Sequence, residues 1–248
     1  MTPEIDPDTG LPVGPRVDPG PARLPGPATM EGRYVRLEPL HRDRHGEALY
    51  AALRGADSIW RYLPDGPFAV QSAFDEHLAK ITPFEHDPYF FSIVDRECGL
   101  ARGYAALMRV DAAHRSIEVG YIVYTPALQK TRGATEAMYL LARHVFEELG
   151  YRRYEWKCDS LNAASRRAAL RLGFIFEGIF RQHRIVKGRS RDTAWFSMID
   201  SEWPELRAGF ERWLDPENFD GNGTQQTRLH EDRRGQATSP AGDGRRNP

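Results

Sequence analysis

The sequence predicts a mixed α/β fold on a largely antiparallel central sheet of about seven strands, flanked by helices. Three observations predict it. The hydrophobic period switches repeatedly between strand-like and helix-like, strand candidates outnumber helical ones, and most strand neighbours are close enough in sequence for hairpins. A doubly wound parallel sheet would instead need a crossover between successive strands.

The elements follow in order. "YVRLEPL" (34–40) alternates as an opening strand, and "HRDRHGEALYAALRG" (41–55) reads as a short helix stopped at Gly55. "SAFDEHLAKI" (72–81) is a second helix, with Phe74, Leu78 and Ile81 on one face. Strands "YFFSIVD" (89–95), "GYAALMRV" (103–110) and "SIEVGYIVY" (116–124) come next. In the last, alternation sets Ile117, Val119, Tyr121 and Val123 on one face and Ser116, Glu118 and Gly120 on the other. From Ala134 onward Met138, Leu141, Val145 and Leu149 recur at helical spacing, and Gly150 ends that helix. "RYEWKCD" (153–159) alternates strictly, and "NAASRRAALRL" (162–172) is a helix closed by Gly173. Strands "FIFEGIFRQHRIV" (174–186) and "RDTAWFSMI" (191–199) and a helix around "EWPELRAGFERWL" (202–214) complete the set.

Composition narrows the function classes. With 248 residues, 40% hydrophobic and 28% charged, the chain supports an ordinary soluble core. Its net charge of -1 argues against a protein that coats nucleic acid with its whole surface. No apolar run reaches the ~20 residues of a membrane span. The first residues lack the basic start and apolar stretch of a signal peptide, so a cytoplasmic location is expected. Cys98 and Cys158 have no paired spacing, which argues against a disulfide framework and a zinc site; no metal is expected.

Residues 1–29 and 215–248 are rich in proline, glycine and polar residues and carry no apolar period, so disordered tails are expected on a folded domain spanning 30–214. Met30, directly before "EGRYVRL", is an alternative start codon.

Two motifs point to chemistry. "LQKTRGATEA" (128–137) joins a strand to a helix through a basic turn with small residues. A helix start presents N–H groups without internal partners and the positive end of the helix dipole, so such a turn suits an anion. A plain junction between strand and helix is the equally simple reading. In "NAASRRAALRLGF" (162–174), Asn162 reads most simply as a helix cap and Ser165 as a tolerated small polar residue.

Taken in order with "RLEPL", "IEVGYIV", "LGYRR" and "EGIFRQ", these motifs resemble the GNAT superfamily of acyl-CoA-dependent N-acetyltransferases. The details look most like its ribosomal-protein (RimJ/RimL-like) branch, and the resemblance covers roughly residues 31–205. It implies a sheet splayed into a V-shaped cleft and acetyl transfer from acetyl-CoA to a primary amine, on a small molecule or a protein N-terminus, by direct attack. It also implies that Tyr121, Ile122 and Val123 face the thioester, while Gln129, Lys130, Thr131, Arg132, Gly133, Ala134 and Thr135 bind the CoA pyrophosphate. Asn162 and Ser165 would lie by the pantetheine. Arg132 stands in the place of the family's first glycine.

For the general base the resemblance favours Glu118, whose plainer reading is a solvent-side carboxylate. Ser165 inherits the acid role, because Ala169 occupies the place of the tyrosine that many members use. The branch's own carboxylate falls on Arg184, which leaves neighbouring His183 as a rival base. Trp60, Arg61, Tyr62 and Asp65, in "SIWRYLPDGPF" (58–68), lie where the family places acceptor loops, although Trp60 and Tyr62 equally suit packing. A homodimer is left open. The chief rival is a degenerate fold that only senses acyl-CoA. Residues 151–191, with eleven Lys/Arg against three Asp/Glu, supply a weaker nucleic-acid reading.

Overall fold

The computed structural model describes residues 3–230. A small hairpin comes first, β1 (Glu4–Ile5) with β2 (Pro12–Val13). The main sheet then assembles from β3 (Met30–Glu31), β4 (Val35–Pro39), β5 (Tyr89–Asp95), β6 (Ala101–Asp111), β7 (Ser116–Tyr124), β8 (Arg153–Asp159), β9 (Ile175–Val186) and β10 (Arg189–Ile199). Its order is β3-β4-β5-β6-β7-β8-β10-β9, antiparallel at every step except β7–β8. The two-residue β3, which pairs with Leu37 and Arg36 at the edge, is the strand not foreseen.

Helices α1 (Arg42–Leu53) and α2 (Gln71–Ile81) cover one face over β4–β6, where Leu49, Phe74, Leu78, Phe90 and Tyr104 form a buried cluster. Helices α3 (Arg132–Arg143), α4 (Ala163–Arg171) and α5 (Trp203–Leu214) flank the other face. The larger core lies there, joining Leu141 and Val145 to Trp156, Phe174, Phe196 and Phe210. Each such side chain, once fully buried, contributes roughly 1.5–3 kcal/mol. Because α1 and α2 reach only part of their face, the β8–β10–β9 end of it is left to charged side chains and the packed rings of Phe180 and Trp195.

Two expectations change. The regular alternation along β7 breaks at Tyr121, whose φ of 47° lies in the left-handed region; one extra residue there bulges against β6. Ile117 and Val119 therefore enter the α3-side core, while Tyr121 and Val123 join the α1–α2 cluster. Nor does packing stop at the expected domain ends. Ala22 N–H donates to Ala112 O and Arg23 N–H to Leu149 O, while Asn218 and Leu229 are buried beyond α5. Apolar residues spaced without a period still bury surface when other elements supply the groove. The end of the expected tail at 231–248 lies outside the described residues.

Candidate active site

The parallel β7–β8 ladder runs from Ser116/Arg153 only to Val119/Trp156. Beyond it the strands part, leaving Gly120–Tyr124 without β8 partners. The gap opens into a cleft of about 1680 Å³, lined among others by Glu118, Tyr121, Ile122, Asn162, Ser165 and Arg184.

On one wall stand two helix starts. Thr131 caps α3 by accepting the Ala134 N–H at 3.1 Å, which leaves the first-turn N–H groups of Arg132 and Gly133 directed out of the helix end. Gln129, Lys130, Thr131, Arg132, Ala134 and Thr135 line the cleft, as expected of the turn. Gly133 does not: a Cβ there would meet Val35 Cγ1 at 2.8 Å, so this glycine serves the fit of α3 on β4. The Arg132 guanidinium stacks on Phe219 at 3.9 Å, which draws it off the helix end. Glu136 accepts the N–H groups of Arg33, Tyr34 and Val35 and so ties α3 to the start of β4.

Asn162 caps α4 through the Ser165 N–H at 3.0 Å, and Ser165 Oγ accepts the Trp156 indole N–H at 2.9 Å. That bond leaves the serine's own proton for a partner in the cleft. Ala169, by contrast, is fully buried in the core, and Ala168 lines the cleft in its stead. Ala169, which occupies the place of the tyrosine that many members use, therefore does not face the cleft with Asn162 and Ser165 but turns under the helix against the sheet. Cys158 is buried, and burial pushes its thiol up, in keeping with a packing role.

The opposite wall centres on Glu118, which is buried rather than solvent-facing. Its Oε2 lies 2.9 Å from both Arg109 Nη1 and Lys157 Nζ, and Lys157 also meets Glu155 Oε2 at 2.5 Å. Burial pushes the Glu118 carboxyl up, against the pull of Lys157 and Arg109. A Cβ on Gly120 would run into Met108 Sδ and stand 3.5 Å from Glu118 Oε1, so the glycine makes way for Met108 beside the carboxylate. Arg109 reaches Glu118 from a bulge in β6, at a φ of 50°.

His183 lies outside the cleft lining, packed by Phe180 and Trp195, and burial holds its imidazole below the usual histidine value. Among the acceptor-loop residues, Trp60 is buried against Phe68 and Phe74, which favours its packing role; Arg61 is exposed. Tyr62 lines the cleft and donates to Leu161 O at 3.3 Å. The Asp65 and Trp60 carbonyls both accept from Lys187 Nζ at the β9–β10 turn. Val123 is buried, while Tyr121 and Ile122 reach the cleft.

Sequence reasoning missed Arg109, Lys157, Arg171 and Arg191. Lys157 carried a signal, since it alternates onto the polar face of the strand beside Glu118. Arg171, which donates to Thr135 Oγ1 and stacks on Trp213 at 4.8 Å, carried none.

This splayed sheet, with a helix start beside the split, has close counterparts. Residues 35–175 match the acetyltransferase (GNAT) domain family. The chain belongs to the GNAT family. A crystal structure of a GCN5-related N-acetyltransferase from Brucella melitensis superposes on this GNAT chain with a TM-score of 0.82 and 48% identity, covering 85% of this chain and 96% of the other. A GNAT-family protein from Chromobacterium violaceum matches with a TM-score of 0.70 and 44% identity over 82% of this chain and 100% of its own. A Bacillus subtilis protein, YdaF, provisionally named a ribosomal N-acetyltransferase, is 30% identical over 101 residues, 41% of this chain. The match spans about half of that relative, 55% of its length. Among the described residues no helix is long and apolar enough to cross a membrane, and no group of His, Cys, Asp and Glu is arranged to hold a metal.

Proposed function

We propose that this protein moves an acetyl group from acetyl-CoA to a primary amine by direct attack in a ternary complex. The observation that carries the reading is the β7–β8 split, which sets buried Glu118 and two capped helix starts around one cleft. The residues present suit the cosubstrate: free N–H groups at the start of α3, next to Lys130, fit a pyrophosphate, and the unpaired β7 edge at Tyr121–Val123 fits an extended amide chain. Acetyl-CoA supplies the activated thioester.

The chain's own groups do the rest. Glu118 Oε1 takes the amine proton through a water, while Oε2 stays anchored to Arg109 and Lys157. Ser165, oriented by the Trp156 N–H, offers its hydroxyl proton at the sulfur end. Unpaired β7 N–H groups provide donors for the carbonyl oxygen. Tyr62 and the 58–68 loop border the acceptor.

A thermal melt with acetyl-CoA tests the reading. Ligand at 100 times its dissociation constant adds ~2.7 kcal/mol, and a melt unmoved at millimolar concentration removes it. Release of free thiol across a panel of amines then tests turnover. One observation favours an acyl-CoA sensor as the second reading: Glu118 is already held by two cations and Ala169 is sealed in the core. A shifted melt without thiol release selects the sensor.

A further inference from the structure

On the sheet face that carries Glu118, the β9–β10 hairpin holds positive charge with no counterpart. Arg184 and Arg191 are direct cross-strand partners, so their side chains stand on one face, and both line the cleft. Like charges placed opposite one another are destabilising unless something offsets them. Arg109 and Lys157 have Glu118, but among the described residues neither Arg184 nor Arg191 belongs to an ion pair.

The nearby carboxylates form no ion pair with these arginines, although Asp159 and Glu118 act on Arg191 at a distance. Asp159 Oδ1 accepts the Leu161 N–H, and Asp192 Oδ1 accepts the Gln182 N–H. Buried polar atoms on the same hairpin repeat the pattern. Arg191 Nε and Thr193 Oγ1, the latter residue 1% exposed, have no hydrogen-bond partner, and neither do His183 Nδ1 and Trp195 Nε1. Natural folds rarely leave such groups unmet, and of the four it is Arg191 that lines the cleft, where its unmet Nε suits an anionic partner. The start of α3 packs on the other sheet face, so the pyrophosphate does not account for them.

We propose that the acceptor carries a carboxylate close to its amine, bound by Arg184 and Arg191; this rests on the acetyl-transfer reading. Two guanidinium forks side by side match a planar carboxylate, as single point charges would not. The carboxylate comes either from a free amino acid or from an acidic residue next to a protein's N-terminal amine.

The test compares kcat/KM within matched pairs: an amino acid against its amide, and a peptide with glutamate second against one with glutamine second. Wild-type protein should prefer the carboxylate member of at least one pair by roughly tenfold or more, as expected for a hydrogen bond to a charged group. Arg184→Gln and Arg191→Gln should each erode that ratio, and Arg184→Lys should keep part of it. A response confined to the first pair identifies a small-molecule acceptor, and one confined to the second a protein N-terminus. Equal kcat/KM within both pairs, or a preference untouched in both variants, overturns the proposal. Calorimetric titration of the same pairs into CoA-saturated protein gives the comparison without turnover. There, a binding preference lost in the variants upholds the subsite even if no thiol is released, and equal or absent binding of both members overturns it.

Discussion

Polar side chains on the α3–α4 wall of the cleft meet one another, whereas those on the β9–β10 wall largely do not. Thr131, Asn162, Ser165 and Thr135 each accept a hydrogen bond from within their own wall, from Ala134, Ser165, Trp156 and Arg171 in turn. Across the cleft, Arg191 Nε has no hydrogen-bond partner, and among the described residues neither Arg191 nor its cross-strand neighbour Arg184 belongs to an ion pair. The first wall is a finished scaffold that offers a ligand mainly backbone N–H groups. The second has side-chain donors in reserve, which suits recognition of a variable acceptor. Glu118 stands between the two regimes, with Oε2 anchored to Arg109 and Lys157 and Oε1 outside those ion pairs.

The largest expected effect tests whether the first wall is a scaffold. Glu136→Ala removes the acceptor of three backbone N–H groups, of which that of Val35 is buried and those of Arg33 and Tyr34 are part-buried; a buried group left unmet costs about 1–3 kcal/mol. Urea denaturation should register a loss of about 1–3 kcal/mol; a loss below about 0.5 kcal/mol, typical of a surface site, would break the contrast.

Next comes Glu118→Gln, expected to lower kcat by ~100-fold or more with acetyl-CoA affinity retained. Its pH profile carries a sign. A base must be deprotonated, and burial pushes this carboxyl above its ordinary 4.5, so in the wild type kcat/KM should fall as pH drops through a value above 4.5. The variant should lose that acid limb; if it persists unchanged, the base lies elsewhere.

Ser165→Ala removes one neutral hydrogen-bond donor and should cost kcat up to about tenfold, with little change in acetyl-CoA dissociation constant. A change in affinity alone would make the hydroxyl an anchor for the pantetheine. The smallest effect is expected at His183, which does not line the cleft. His183→Asn should leave kcat/KM within about twofold, the range of substitutions that touch no special feature. A loss comparable to that of Glu118→Gln would return the base to the hairpin wall.

Much of this architecture was legible in the residues. Strands 89–95, 116–124 and 153–159 fall where the sequence set them, and α4 carries the expected Asn162 cap. Glu118, Ser165 and the 129–135 turn converge on one cleft with Gly133 set aside, whereas His183 and Trp60 do not join them. The missed residues are informative. Arg109 depends on a β6 bulge for its direction, and no local period records where a bulge will turn a side chain.

The sequence by itself determined the order of the elements, most of their bounds and the Asn162 cap of α4, because those signals act within about one helical turn or a few strand residues. The tertiary structure alone decided the facing of Tyr121 and Val123 after the bulge, the fit of Gly133 against Val35, and the burial of Ala169. It also decided the seating of Phe219 and Leu229 beyond the expected domain end, and which cations hold Glu118. Each of these is a contact between segments far apart in the chain, set by how helices and strands stack. Burial, and with it the upward shift of the Glu118 and Cys158 groups, exists only once that stacking has excluded water.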